Sequence, residues 1–309
     1  MIIDVHMHLG DFLHPNGAAI IGKTIVFPTK FNIQKFEEDV LKFNSFWWTK
    51  LLFTKYDDFY TLSVQNRIKA ATYKNLLKYY SVLEKYSLEL FGDNTVRSFC
   101  MPIAPYVCME DIQKWSANDH RLLSFTSIDA SLSCQDSCEL IKSQMNACYG
   151  LKLHPIIQGI PFDSNTTFSV LDIFKASGKP VLFHAGASRY YLGNEKHYQH
   201  CELDNIPAAK EMVSRYPQIP FIIGHAGIAE YKEWCSALCE FDNVFIDITV
   251  QSLKSIRYLI SKYGEDRVLF ATDWPCVNPN TTLKIITKTL RHSQLEKCMY
   301  KNAKCLFNL

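Results

Sequence analysis

The sequence predicts an α/β fold: a (β/α)₈ TIM barrel with a helical, aromatic-rich insertion after its first strand. Short apolar runs rich in β-branched and aromatic residues recur eight times along the 309 residues. Stretches of helical character separate them. Polar, chemistry-bearing residues interrupt the runs at one consistent place, their C-terminal ends.

The runs are Ile2 to His6, Ser98 to Ile103, Leu122 to Ile128, Tyr149 to His154, Pro180 to His184, Pro220 to His225, Val244 to Ile248 and Val268 to Asp273. Strands apolar on both faces suit a parallel sheet covered by helices. Between them, Asp136 to Cys148 sets Cys138, Leu140, Ile141, Met145 and Ala147 among polar residues. Ile206 to Tyr216 stops before Pro217. Gly178, ahead of Lys179-Pro180, ends a helix before a strand. Ala229 to Cys239, Gln251 to Tyr263 and Pro279 to Arg291 complete the alternation. Such units are right-handed crossovers, and eight of them close a barrel.

The whole chain, 1–309, reads as one barrel domain, a common size for this architecture. No repeat, low-complexity tract or linker marks a second unit. The exception to regular spacing is the stretch from about residue 10 to 97, too long for one crossover helix. In it, Phe43 to Phe53, with Trp47 and Trp48, supplies aromatics for the insertion's own core. About Leu62 to Phe91 reads as a long amphipathic helix. An insertion here starts at the C-terminal face of the barrel, where a lid would sit.

Charge is balanced, 33 basic against 31 acidic residues, so no long-range field draws nucleic acid or an anionic membrane. The 11 cysteines include no C-x-x-C pair and read as buried free thiols in a reducing compartment. The N-terminus lacks a basic segment followed by an apolar one, and no run reaches membrane-spanning length. The expectation is a soluble, cytoplasmic protein with a small-molecule substrate; a homodimer is allowed.

The strand ends carry the chemistry. His6 and His8 are two apart, so strand alternation points them the same way, and Asp4 with them. His184 and His225 each end an apolar run and each precede Ala-Gly. Packing gives no reason for apolar strands to end in histidine repeatedly, because a buried imidazole must satisfy two nitrogens. A metal ion gives these groups a common partner. Asp273 closes Val-Leu-Phe-Ala-Thr-Asp in the same way. Imidazoles plus a carboxylate suit Zn²⁺ or a similar cation.

Asp-Val-His-Met-His, Leu-Phe-His-Ala-Gly, Ile-Gly-His-Ala-Gly and Ala-Thr-Asp-Trp-Pro, in this order, resemble the amidohydrolase superfamily. The closer resemblance is to the amidohydrolase-related (amidohydrolase 2) branch, which includes aminocarboxymuconate semialdehyde decarboxylase-like enzymes. Gly150-Leu151-Lys152-Leu153-His154-Pro155 is similar to that branch's fourth-strand motif, and Tyr300 to Phe307 to its C-terminal helix.

The resemblance implies one divalent metal, zinc first and manganese as the alternative, on His6, His8, His184 and Asp273. His225 would act beside it as general acid/base or electrophile. A carboxylated Lys152 bridging two metals is the binuclear variant; otherwise Lys152 pairs with a buried acid or touches substrate. The implied chemistry is hydrolysis of a lactone, amide or ester by water whose pKa falls from 15.7 to about 7 on the metal. Asp273 would take the water proton, and His225 would polarise the carbonyl or protonate the leaving group. The alternative is a carboxy-lyase or hydratase acting on a small aromatic or unsaturated acid. A barrel that only binds a ligand is the third reading, opposed by the intact ligand set.

Asp4 would orient a ligand imidazole or fix its strand. His154 lies either behind the ligands or merely before a turn-forming proline. Arg189, after the fifth run, would clamp a substrate carboxylate or sit on the surface. Trp274 and Pro275 shape the wall after Asp273, and Asp247 faces the site or caps the next helix.

Overall fold

The computed structural model describes residues 1–13, 58, 60–69, 71 and 73–309. All eight apolar runs become strands of one closed barrel. β1 (Ile2–Met7), β2 (Val96–Cys100) and β3 (Leu122–Ser124) pair in parallel. β4 (Thr126–Ser127), β5 (Leu151–Leu153), β6 (Val181–Phe183), β7 (Phe221–Ile223), β8 (Val244–Asp247) and β9 (Val268–Leu269) form a second parallel row in chain order.

β3 and β4 are two halves of the third run, interrupted at Phe125. The Phe125 N–H donates to Cys100 O at 3.1 Å on one side, and Thr126 N–H to Gly150 O at 2.9 Å on the other, so the interruption still bridges the rows. At the other seam, Val5 N–H donates to Phe270 O at 3.0 Å and Asp273 N–H to His6 O at 2.8 Å. These bonds close the barrel between β9 and β1.

The crossovers are helical. α1 (Tyr73–Phe91) precedes β2, and α2 (Met109–Ser116) precedes β3. α3 (Cys134–Gln144) follows β4, and α4 (Pro155–Gln158) and α5 (Asn165–Phe174) follow β5. α6 (Ile206–Arg215), α7 (Tyr231–Leu238), α8 (Leu253–Tyr263) and α9 (Pro279–Thr289) follow β6 to β9 in turn. α10 (His292–Glu296), a π-helical turn (Lys297–Lys301) and α11 (Asn302–Phe307) end the chain.

Local chemistry sets the helix starts. Ser133, Ser164 and Asn205 accept from the N–H groups of Asp136, Thr167 and Ala208, each satisfying a donor the helix cannot. Each such cap is worth about 1 kcal/mol. α6 buries Ala208, Ala209, Met212 and Val213, one stripe facing the strands. Inside the barrel, Ile3, Val5, Phe99, Phe125, Leu182 and Ile222 form a separate core. Phe307 of α11 closes it, stacking on Phe99 at 4.0 Å between ring centres.

Three expectations change: the long helix, the burial of every cysteine, and the shared face of Asp4 and His6. The long helix from Leu62 to Phe91 is broken: residues 60–69 are helical, Ala71 is not, and α1 starts afresh. The break has a use, since Ala71 O accepts from Gly10 N–H at 3.0 Å and ties the insertion to the end of β1. The Phe43 to Phe53 segment lies outside the described residues. Cys100, Cys148, Cys235, Cys276 and Cys298 are buried, but Cys201 and Cys305 are exposed. No described helix is long and apolar enough to cross a membrane.

Asp4 does not share a face with His6. The register of β1 shifts between Asp4 and Met7, a bulge that breaks strict alternation. The Asp4 carboxylate accepts from His6 N–H (3.0 Å), Thr272 N–H (3.1 Å), Thr272 Oγ1 (2.5 Å) and Tyr79 OH of α1 (2.6 Å). Burial pushes its pKa up to about 6, with the four donors pulling it back. It therefore fixes the strand rather than an imidazole. Asp4→Asn turns an acceptor into a donor facing donors. It should lower unfolding stability by about 2 kcal/mol in urea titration; an unchanged midpoint would contradict this role.

Candidate metal centre

The C-terminal ends of the strands converge on a cluster of buried imidazoles. His6, His8, His184 and His225 are at most 3% exposed, and Asp273 is 7% exposed. For His6, His8 and His184, hydrogen bonds fix which ring nitrogen carries the lone pair. His6 Nδ1 lies 2.8 Å from Asp247 Oδ2, so Nδ1–H donates and Nε2 is left as acceptor. His8 Nδ1–H donates to Met101 O at 2.9 Å, which leaves its Nε2 3.4 Å from Asp273 Oδ1. His184 Nε2–H donates to Gly186 O at 3.0 Å, leaving Nδ1 as the lone-pair nitrogen. That Nδ1, like Nδ1 of His225, is buried without a hydrogen-bond partner.

Burial drives these rings neutral. It holds His6, His8 and His225 well below the usual imidazole range, and His184 at about 3. Neutral imidazoles, three of them with the tautomer set by a hydrogen bond and two with an unmet Nδ1, are the state a divalent cation requires. One donor atom each of His6, His225 and Asp273 lies within 4.8 Å of the others. His8 adjoins this group through Asp273, and His184 through His225, with ring centres 5.1 Å apart. The residues present fit a divalent cation.

Asp247 organises the group. Besides His6, its Oδ1 accepts from the N–H groups of His225 (2.9 Å) and Thr249 (3.0 Å). It caps no helix; Ser252 caps α8. Lys152 is fully buried, and its Nζ donates to His6 Nε2 at 3.0 Å. Burial brings its pKa down to about 8, and the charges of Asp273 and Asp247 oppose that fall. Burial also pushes Asp273 well up, with Lys152 pulling it down.

A cavity of about 570 Å³ opens above the group and reaches His225 and Asp273. Tyr60 and Val64 from the insertion, Tyr190 and Tyr191, and Ile228 and Val250 give it a largely apolar wall. Tyr60 and Val64 thus bring the insertion into the wall. Arg189 and Lys196 bring positive charge to it; Arg189 Nη2 also lies 3.0 Å from Asp58 Oδ1.

His154 sits beside the cluster and at the start of a helix. Its ring stacks on His184 (4.2 Å, 12°), and its Nδ1 accepts from Ile157 N–H at 3.4 Å to start α4. Trp274 packs on Tyr79 at 5.1 Å, and its O accepts from His8 N–H at 2.7 Å. Sequence reasoning missed Tyr190, whose OH lies 3.3 Å from His154 Nε2, and Ser188, whose Oγ lies 3.2 Å from His184 Nε2. Both follow His184 in a loop, where no periodicity flags them.

Residues 113–309 match the amidohydrolase family, and the chain belongs to it, in the amidohydrolase-2 branch. His6 and His8 precede the matched residues. No curated protein matches the chain. Solved structures share the fold at low identity. An uncharacterised TIM-barrel protein from Bordetella bronchiseptica gives a TM-score of 0.66 at 12% identity, covering 99% of this chain and 98% of that one. A dihydroxybenzoic acid decarboxylase from a Polaromonas species, with bound manganese and the inhibitor 2-nitroresorcinol, gives 0.61 at 13%, covering 100% and 97%. A probable 2-pyrone-4,6-dicarboxylic acid hydrolase from Acinetobacter baumannii, with citric acid bound, gives 0.57 at 11%, covering 100% and 99%.

Two outcomes follow. Asp247→Asn should weaken zinc affinity about 10- to 100-fold, because it loosens a ligand's tautomer and aim; competition with a zinc chelator measures this, and unchanged affinity would refute it. The pH dependence has a definite sign. A depressed imidazole pKa means protons compete for the lone pairs only at low pH. Asp273, which burial pushes well up, is the group that acid reaches first, so zinc loaded at pH 7 should be lost on dialysis to acid pH while the imidazoles are still neutral. Histidine ¹⁵N spectra taken along the dialysis check this, and imidazolium signals appearing before the zinc leaves would refute it.

Proposed function

We propose that this chain is a metal-dependent hydrolase that opens or cleaves a small carbonyl compound: a lactone, amide or ester. One observation carries the reading. Asp273 and His225, the carboxylate and imidazole that reach the cavity, belong to the same buried donor group. The cation would be held by His6, His8, His184 and Asp273, zinc first by donor chemistry and manganese as the alternative. Held there, it supplies Lewis acidity and brings the pKa of water toward neutrality.

The protein's own groups then divide the work. Asp273 accepts a proton at a carboxylate oxygen. The His225 imidazole polarises the substrate carbonyl or gives a proton to the leaving group. Asp247 holds the His6 tautomer, and Tyr190 and Tyr191 keep water from the apolar side of the cavity. We further read 1–309 as a single domain, acting on a small molecule in the cytoplasm.

A second reading has its own support. Arg189 on the cavity wall, with Lys196 near it, suits a substrate carboxylate, and the tyrosine-rich wall suits a flat ring. This favours a carboxy-lyase acting on a small aromatic acid.

Zinc- and manganese-loaded protein, assayed on a panel of lactones, esters, amides and hydroxybenzoic acids, tests both. The hydrolase reading expects ring opening or ester cleavage. It also expects a loss on the order of 10²- to 10⁴-fold in kcat/KM for Asp273→Asn and for His225→Asn. Carbon dioxide release without hydrolysis would replace it with the lyase reading. Activity retained in both variants would refute the assigned roles.

A further inference from the structure

The turn after β7 is held where side chains rarely go. His225 (φ 57°), Ala226 (49°) and Gly227 (84°) are consecutive left-handed residues, and Ile228 follows at φ 49°, ψ −115°. Across the cavity wall, Val250 also has a positive φ, 60°. For β-branched residues these are true outliers, which persist only where surrounding structure enforces them, typically at functional sites.

The enforcing contacts come from the last residue of β8 and the segment after it. Asp247 takes the N–H of His225. Gln251 takes the other side: its Nε2 donates to His225 O at 2.6 Å and to Ile228 O at 3.0 Å. Gln251 is 1% exposed, and its Oε1 is buried with no hydrogen-bond partner. A buried amide that leaves its acceptor unmet is there for its two donors. Neighbours leave the turn no slack. A Cβ on Gly186 would lie 2.5 Å from the Gly227 carbonyl, and one on Gly227 would lie 2.3 Å from Trp234. His225, Ile228 and Val250 all line the cavity.

We propose that Gln251 is a positioning residue: it sets the His225 imidazole at the cavity floor and presents Ile228 and Val250 as the wall that selects substrate shape. The catalytic half of this rests on the role given to His225 above. The conformational half does not.

The test uses the full chain with ¹⁵N-labelled histidine, metal-free and zinc-loaded. His225→Asn assigns the His225 ring signals by their loss. Gln251→Met keeps the volume and removes both donors; Gln251→Glu keeps the shape and donates one hydrogen bond only when protonated. The expected result is displaced His225 ring signals in Gln251→Met, unmoved His8 signals and unchanged zinc content. Gln251→Glu should return toward the wild-type spectrum as pH falls. On any substrate turned over, kcat should fall on the order of 10²-fold, the cost of a misplaced group. Ile228→Gly should leave the His225 signals in place while admitting bulkier substrates.

Unmoved His225 signals in both Gln251 variants would overturn the proposal, whatever their thermal stability. So would signals for all histidines moving together, which marks a general loss of structure. The ring signals require no turnover. Displaced signals in a chain inert on the whole panel would count against the hydrolase reading and still support the brace.

Discussion

One buried carboxylate, Asp247, holds three strand ends in a single arrangement. It accepts from the His6 ring on β1, from the His225 backbone after β7, and from Thr249 beyond its own strand. Each of these groups would otherwise be a buried donor without a partner, a cost of about 1–3 kcal/mol apiece. The barrel's closure makes this possible, because it brings β1 within reach of β8. The same geometry decides the chemistry: once Nδ1–H of His6 is committed to Asp247, its Nε2 must face inward as a lone pair.

The inward-facing groups do not balance one another. Four imidazoles are pushed neutral by burial, Lys152 keeps its charge against the same pressure, and Asp273 is pushed toward protonation. Such a cluster weakens the fold more than apolar residues of equal volume would. A divalent cation reverses the balance, turning unmet lone pairs into ligands and favouring the charged form of Asp273. On the proposed function, stability and activity would depend on the same partner, which would explain why so many polar groups stand in an otherwise apolar interior.

The barrel was legible in the sequence because each strand is buried on both faces, which writes an apolar run that needs no periodicity to be seen. The polar residues closing those runs marked His6, His8, His184, His225 and Asp273, and the structure gathers all five at one end. Other features were hidden for specific reasons. Period-two alternation put Asp4 beside His6, but the bulge in β1 turns it toward Tyr79 and Thr272. Asp247 was ambiguous because spacing cannot say which ring a carboxylate will meet across the barrel. Gln251, Ser188 and Tyr190 act from loops, through contacts between segments far apart in sequence. The break at Ala71 carries no glycine or proline; it exists for a tertiary bond to Gly10.

The central claim is that these strand ends form one cation site. Its most direct test is metal content per chain by plasma mass spectrometry, on purified wild-type protein and on His184→Ala, each reconstituted with zinc and with manganese. The account predicts roughly one equivalent in the wild type and its loss in the variant, as expected when a ligand is removed from a mononuclear site. No bound metal in the wild type after reconstitution, or equal content in the two proteins, would contradict it.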